Sequence, residues 1–235
     1  MVHIGIIPDG NRRWCKKNNL NNEDIFDYYI FKIIEFIKVI KNKKKCSKYL
    51  KNINEISFYI SSIDNMNRKD NTKMIIYNLI RKINKQFTKE MLKSFLEKHD
   101  MYDDFYNKLI NFYNLLNINF IGEISKLPED IQLIINKIKK YNTKNKYTIN
   151  FAIYYDYYKD IENYNKNDNN EYNRIQSNID LIIRTGGEYR ISGFFPTKTI
   201  YSELFILKKY WPDIKYNDFI NILKKYNNRD RRFGK

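Results

Sequence analysis

Five short apolar runs, at residues 2–8, 55–61, 117–122, 147–153 and 180–184, are rich in Ile, Phe and Tyr, and each has the length of a buried strand. Segments of helical period separate them. That alternation is the strongest constraint on the fold, because strands joined through helices pair in parallel and need helices on both faces to cover them. The clearest helical stripe is Ile30, Ile33, Ile34 and Ile37, with polar and acidic starters at residues 21–24. Further helices are predicted over 72–87, 88–99 and 102–116, and one opens on Pro128-Glu129-Asp130 and runs to about residue 141. The stretch 162–176 is dense in Asn, Asp and Tyr without an apolar period, and is predicted to be an exposed loop. The expected fold class is α/β: a central, mostly parallel sheet flanked by helices, in one domain spanning residues 1–235. Ligands of such folds gather beyond the carboxyl ends of the strands. That rule directs attention to the loops after Pro8, Ser61 and Ile183.

Charge sets a second bound. Forty-three Lys and Arg against 27 Asp and Glu give a formal charge of +16, which would ordinarily suggest nucleic acid or an anionic membrane. Lys is spread along the whole chain, however, and abundant Lys, Asn, Ile and Tyr beside only 7 Gly and 4 Pro is the pattern of AT-rich codon usage. No nucleic-acid-binding module accompanies the charge, so a nucleic-acid partner is the weaker alternative and is not expected. A basic surface still attracts phosphorylated ligands and anionic lipid head groups. Cys15 and Cys46 make no disulfide framework and no metal-ligand pair, which fits a reducing compartment. No signal segment is visible, and the longest apolar stretch, 30–40, is broken by Lys32, Glu35 and Lys38, far short of the roughly 20 apolar residues of a spanning helix. The expectation is a cytoplasmic protein.

Two loops carry the candidate chemistry. The first strand runs into Pro8-Asp9-Gly10-Asn11-Arg12-Arg13-Trp14: an acid at a strand end, a glycine, an amide and two guanidinium groups at a helix start. Those residues suit a Mg²⁺-bound diphosphate, with Asp9 on the metal and the arginines and free backbone N–H groups on phosphate oxygens. They equally suit an ordinary strand-to-helix turn with a capping Asn. The strand ending at Arg184 runs into Thr185-Gly186-Gly187-Glu188-Tyr189-Arg190-Ile191-Ser192, where two arginines and a serine around a Gly-Gly turn resemble an anion clamp. A surface loop with incidental charges would read the same way. Two such loops at strand ends of one parallel sheet can face each other.

The first loop, extended back to His3, resembles the opening motif of the cis-prenyltransferase family, which includes the undecaprenyl diphosphate synthases. The second, preceded by Asp180 and continuing to Tyr201-Ser202-Glu203-Leu204-Phe205, resembles its last large motif. Between them, Ser61-Ser62-Ile63-Asp64-Asn65-Met66-Asn67-Arg68 is similar to the family's Ser-x-Glu-Asn-x-x-Arg loop, and Arg232-Phe233-Gly234 to its Arg-x-Gly tail. The resemblance implies an undecaprenyl diphosphate synthase-like fold with an apolar tunnel, and condensation of isopentenyl diphosphate with an allylic diphosphate, farnesyl or geranylgeranyl, to a long cis-polyprenyl diphosphate. It implies that Asp9 binds Mg²⁺ and is central to catalysis. Gly10, Asn11 and Arg13, with Arg12 and Trp14 beside them, would make the allylic diphosphate site, and Asn11 would also serve proton or leaving-group chemistry. Arg184, Arg190 and Ser192 would bind isopentenyl diphosphate, Glu203 would be the second metal-associated carboxylate, and Ser62, Asp64 and Arg68 would lie in a mobile closing loop. A homodimer would bring Arg232 and Gly234 to the neighbouring subunit's site, and product insolubility adds peripheral membrane contact. Stripes at Ile33, Ile34, Phe36 and Ile37, and at Met74, Ile75, Tyr77, Leu79 and Ile80, are candidates for the tunnel wall, although apolar residues at helical spacing are usually core.

The chain also departs from that pattern. Asn22 and Phe26 stand where Arg and His are usual, Asp64 replaces Glu, Met66 an aromatic, Gly193 an Asn, and Pro196-Thr197-Lys198 a more apolar stretch. Loss of a guanidinium would weaken diphosphate binding by about 1.5 to 3 kcal/mol. These changes keep a rival in view: a non-catalytic or partner-dependent subunit with the same fold. Retention of Asp9 and of the arginines favours the self-sufficient enzyme.

Overall fold

The structure is a computed structural model that describes residues 2–21, 25, 32, 53–86, 116–139, 147–164, 175 and 177–232. Strands β1 (Val2–Ile7), β2 (Ile53–Tyr59), β3 (Leu116–Ile121), β4 (Tyr147–Ala152), β5 (Leu181–Arg184) and β6 (Glu203–Ile206) form one sheet in the order β3-β4-β2-β1-β5-β6. Every pairing is parallel. The described helices are α1 (Asn11–Lys17), α2 (Ile63–Met66), α3 (Thr72–Gln86), α4 (Glu129–Lys139), α5 (Tyr157–Tyr164) and α6 (Tyr216–Asn227).

Alternate residues of β1 to β5 enter different cores, which explains why these strands read as continuous apolar runs. Ile4, Ile6, Phe58, Phe120, Phe151, Leu181 and Ile183 pack on one side with Trp211, Ile135 and Phe219. Ile7, Tyr59, Ile121, Ala152 and Ile182 pack on the other with Tyr155, Phe194 and Phe195. The chain builds away from β1 in both directions, so β1 and β5 flank the point where strand order reverses. A crevice opens there beyond the strand ends.

The five predicted strands are present, each with its ends within two residues of expectation. The predicted helix at 72–87 is α3, and the one opening at Pro128 is α4, which stops at Lys139. The predicted helices carrying the Ile30–Ile37 stripe and over 88–99 lie outside the described residues, except that Ile25 and Lys32 are helical and buried. The helix expected over 102–116 cannot include Leu116, which begins β3. The loop expected over 162–176 is also corrected: 162–164 belong to α5, and Ile175 is buried. Helix α5 escapes the usual signal because its pattern is inverted. It buries Asp160 and exposes Tyr158, Ile161 and Tyr164. Asp160 accepts a hydrogen bond from Thr197 Oγ1 at 3.0 Å, and burial pushes its carboxyl upward.

Towards the end of the sheet away from the crevice, a polar chain crosses four strands. Asn119 Nδ2 donates to Asn150 Oδ1 at 2.9 Å, and Asn150 Nδ2 donates to Glu55 Oε1 at 2.8 Å and Ser57 Oγ at 3.0 Å. His3 Nε2 lies 2.8 Å from Ser57 Oγ, and its Nδ1 lies 3.0 Å from Ser177 Oγ. The chain links β3, β4, β2 and β1, so a one-residue slip of any of them would leave buried polar groups unpaired. Burial lowers the pKa of His3, and the nearby Glu55 carboxylate only partly opposes that. A His held neutral in the folded state binds fewer protons than the unfolded chain once pH falls below about 6.5, so its contribution to stability declines with acidification. The expected outcome is a wild-type unfolding free energy that falls between pH 7 and 5 more steeply than that of His3→Gln, by at most about 1.4 kcal/mol per pH unit. Urea titrations of both proteins at stepped pH check this, and parallel slopes would exclude His3 as the origin.

Candidate active site

The parallel register sets Ile7 of β1 opposite Arg184 of β5, so the loops leaving these strands start side by side. Thr185 stitches them together: its Oγ1 accepts from the Asp9 N–H at 2.8 Å and donates to the Asp9 carbonyl at 2.7 Å. The loops approach so closely that a Cβ on Gly186, where φ is +84°, would lie 3.2 Å from the Asp9 carbonyl carbon and the Gly10 nitrogen. Only glycine adopts that conformation without cost and leaves the space open.

The Asp9 side chain is the centre of the arrangement. Its Oδ2 accepts from Arg184 Nη2 at 2.8 Å, and its Oδ1 accepts from the Gly10 N–H at 2.6 Å and lies 3.4 Å from Arg13 Nη2. Burial alone would push this carboxyl up. The hydrogen bonds from Arg184 and Gly10 and the positive charges of Arg184 and Arg13 outweigh it and hold the pKa below the usual carboxylate value. Arg184 is only 4% exposed. Its Nη1 donates to Ser192 Oγ at 3.0 Å and to the Arg190 carbonyl, while its Nε has no partner. The Tyr59 hydroxyl, at the end of β2, donates to the Ser192 carbonyl at 2.9 Å and ties the turn to that strand as well.

A capping Asn is not what holds the first loop. Gly10, not Asn11, is the N-cap of α1, and no side chain caps the helix. Asn11 turns its Nδ2 back to the Pro8 carbonyl at 2.8 Å and leaves its Oδ1 buried without a partner. Arg13 lies over the Tyr210 ring at 5.5 Å and pairs with Glu188 at 3.1 Å. Glu188 also pairs with Arg190, at 2.7 Å.

A cleft of about 910 Å³ opens at these loops. Its polar end is lined by Asp9, Gly10, Asn11, Arg12, Arg13, Arg184, Arg190 and Ser192, and an apolar flank by Ile25, Ile75, Ile76 and Leu79. Ser62, Asp64 and Arg68 line it as well. Ser62 caps the short helix α2 through Asn65, with both bonds at 3.1 Å, so this segment is a structured turn. Arg12 pairs with Asp70 at 2.7 Å, joining the first loop to the segment after α2.

Of the tunnel candidates on α3, Ile75 and Leu79 face the cleft, Ile80 is core and Met74 is half exposed. Ile33, Ile34, Phe36 and Ile37 lie outside the described residues, as do Asn22, Phe26 and Gly234. Trp14 is not brought to the cleft; it is buried and donates from Nε1 to Asp213 Oδ1 at 2.7 Å. Within one chain Glu203 also stands apart. It begins β6 beside Leu181, at the opposite end of β5 from Arg184, and pairs with Arg229 at 2.9 Å. Arg232 is exposed and pairs with Asp230. Sequence patterns do not single out Thr185, Tyr59 or Tyr157 as site residues. Thr185 sits inside the second motif, but nothing in the sequence distinguishes the two tyrosines from the other 19.

Two departures acquire a structural reason. Met66 is fully buried in the core. A Cβ on Gly193, at φ +73°, would lie 2.6 Å from Tyr157 Cδ1, so the space of the usual Asn side chain is taken by that ring.

Comparison with known proteins gives one answer. A family model described as putative undecaprenyl diphosphate synthase matches residues 7–234. A tritrans,polycis-undecaprenyl-diphosphate synthase (geranylgeranyl-diphosphate specific) of Sulfurisphaera tokodaii is 30% identical, over 99% of this chain and 87% of the relative. An isoprenyl transferase of Fusobacterium nucleatum is 31% identical, over 99% and 95%. Among solved structures, the lavandulyl diphosphate synthase of Lavandula x intermedia in complex with dimethylallyl diphosphate superposes with a TM-score of 0.75 at 21% identity, covering 99% and 98% of the two chains. A probable undecaprenyl diphosphate synthase of Campylobacter jejuni gives 0.68 at 20%, with the same coverage. These two likenesses bear on the fold, and the sequence matches bear on ancestry: the chain belongs to the undecaprenyl diphosphate synthase family of prenyltransferases.

Proposed function

We propose that the protein condenses isopentenyl diphosphate with an allylic diphosphate of farnesyl or geranylgeranyl length to give a long-chain cis-polyprenyl diphosphate. The observation that carries this reading is the polarity of the cleft. One end gathers Asp9 and several guanidinium groups, and the flank is lined by Ile25, Ile75, Ile76 and Leu79. That division matches a diphosphate head with a hydrocarbon tail. Relatives named for geranylgeranyl diphosphate support a starter of that length.

In the reaction the bond between C1 and oxygen of the allylic substrate breaks, and the electron pair leaves with the diphosphate. The double bond of isopentenyl diphosphate closes on C1 through its C4, and a proton is lost from C2 to leave the cis alkene. Arg13 and the N–H groups at the start of α1 are assigned to the leaving diphosphate, where they stabilise growing negative charge. Arg184, Arg190 and Ser192 are assigned to the diphosphate of the incoming unit, with Arg184 already fixed by Asp9. Asn11 Oδ1, buried and unpartnered, is assigned to the proton or leaving-group chemistry. The two substrates are thereby held in reacting register, which supplies much of the acceleration.

Mg²⁺ fits this donor set. No cluster of three His, Cys, Asp or Glu occurs among the described residues, and Mg²⁺ commonly binds through one or two carboxylates plus substrate phosphates. Asp9, ionised and on the cleft wall, would hold it, and bound Mg²⁺ would supply positive charge to the diphosphate oxygens. A second carboxylate from Glu203 would have to come from another subunit. A homodimer through the β6 edge is consistent with the exposed Tyr189, Ile200, Tyr201 and Leu204 around that strand. The remote Glu203 equally accommodates a different partner chain, which is the second reading. No described helix is long and apolar enough to cross a membrane, so any membrane contact of these residues would be peripheral.

Incorporation of labelled isopentenyl diphosphate into extractable lipid by the purified protein, with Mg²⁺ and farnesyl or geranylgeranyl diphosphate, tests the proposal. The expected result is lipid product that chelation abolishes and that Asp9→Ala reduces by about 10²-fold or more. No product from any allylic starter would favour the partner-dependent reading. A second expectation concerns Asp9 itself. Arg184→Met removes the strongest influence lowering its pKa and leaves burial less opposed, so the carbon-13 titration midpoint of the Asp9 carboxyl should move upward. An unmoved midpoint would show that Arg184 is not what keeps Asp9 ionised.

A further inference from the structure

We infer that Glu188 is a shared counter-ion of the two diphosphate subsites, a positioning residue that loosens their hold and lets the leaving diphosphate depart. Its carboxylate divides between the loops: Oε1 accepts from Arg13 Nη1 at 3.1 Å and Oε2 from Arg190 Nη1 at 2.7 Å. Arg13 lies in the first turn of α1, which follows β1, and Arg190 in the loop after β5, and both line the cleft, whereas Glu188 does not. The inference rests on the assignment of those loops as diphosphate subsites.

Arg13, Arg184 and Arg190, which all line the cleft, are not equivalent. Arg184 is 4% exposed and fixed by Asp9 and Ser192, while Arg13 and Arg190 are 45% and 60% exposed, each with Glu188 as an ion-pair partner, and Arg13 also lies 3.4 Å from Asp9. Glu188 acts on the two exposed ones. A carboxylate oxygen and a phosphate oxygen compete for the same guanidinium N–H groups. In a chain-elongating reaction that competition has a use. Each condensation leaves inorganic diphosphate at one subsite and a longer prenyl diphosphate at the other, and the second must move to the first before another unit is added. Guanidinium groups with no alternative partner would hold both anions tightly. A carboxylate spanning the two subsites offers each arginine a partner as its diphosphate leaves, which lowers the barrier to release and handover.

Calorimetric titration of inorganic diphosphate with Mg²⁺ into the wild type, Glu188→Gln, Glu188→Asp and Arg190→Gln separates this inference from the assignment beneath it. The wild type should bind, and Arg190→Gln should bind more weakly. Glu188→Gln should bind about three- to tenfold more tightly, as expected for loss of two partly exposed pairs. Glu188→Asp, which keeps the charge, should stay within about twofold of wild type. In kinetics, Glu188→Gln should slow multiple turnover while leaving the single-turnover rate of the first condensation unchanged, a split that a merely structural role would not produce. Glu188→Ala serves as a second neutral variant under the same expectation. Unchanged or weaker binding by the neutral variants, or equal tightening by Glu188→Asp, overturns the inference and leaves the proposed reaction standing. A wild type that fails to bind diphosphate, or binding indifferent to Arg190→Gln, overturns the subsite assignment and the inference together.

Discussion

The ion pair between Asp9 and Arg184 is the constraint on which the rest of the site depends. Arg184 is almost wholly buried, and removing one member of such a pair leaves an uncompensated charge at a cost of about 3–5 kcal/mol. The pair therefore does more than hold two residues. It fixes the loop after β1 against the loop after β5, keeps Asp9 anionic and aims the guanidinium at Ser192. Thr185 adds a second stitch through the backbone of Asp9, so the loops are tied by side chain and by main chain. Adjacency of β1 and β5 is what makes this possible, because Arg184 is the last residue of its strand and faces Ile7 across the ladder.

The same frame explains why hydrogen bonding is uneven around the cleft. Groups nearest Asp9 are over-determined by hydrogen bonds, and farther out exposed arginines make single ion pairs, as Arg12 does with Asp70 and Arg190 with Glu188. Exposed pairs contribute little to stability, so their value at this position lies in what they compete with. A rigid centre and an exchangeable rim suit a site that must grip an anion during bond breaking and release it afterwards.

Much of this was legible in the sequence because its causes are local. Strand-length apolar runs, a glycine-rich turn after Arg184 and an acid after β1 each carry a signal within a few residues. What stayed hidden depends on contacts between distant segments. Helix α5 buries Asp160 and exposes Tyr158, Ile161 and Tyr164, so its pattern opposes the ordinary amphipathic rule, and the buried carboxyl is satisfied by Thr197, 37 positions on. Trp14 reads as part of the phosphate loop but is claimed by the core through Asp213. Gly193 reads as a lost Asn until Tyr157 is seen in the space that side chain would need. A contact of this kind, between a glycine and a ring 36 positions away, leaves no trace at either position alone.

Glu203 raises a different point about topology. In a parallel sheet every strand delivers its last residue to the crevice and its first to the far end, and Glu203 is the first residue of β6. No rotamer can carry it from there to Asp9 within the chain, since three residues of strand separate the level of Glu203 from that of Arg184, roughly 10 Å at the usual rise. If it serves the metal, it must do so across a subunit boundary. The edge position of β6 makes that route physically open, because an edge strand with exposed Leu204 beside Tyr201 and Ile200 has both apolar area and accessible backbone to cover. Completion of the metal site and burial of the edge would then be one event.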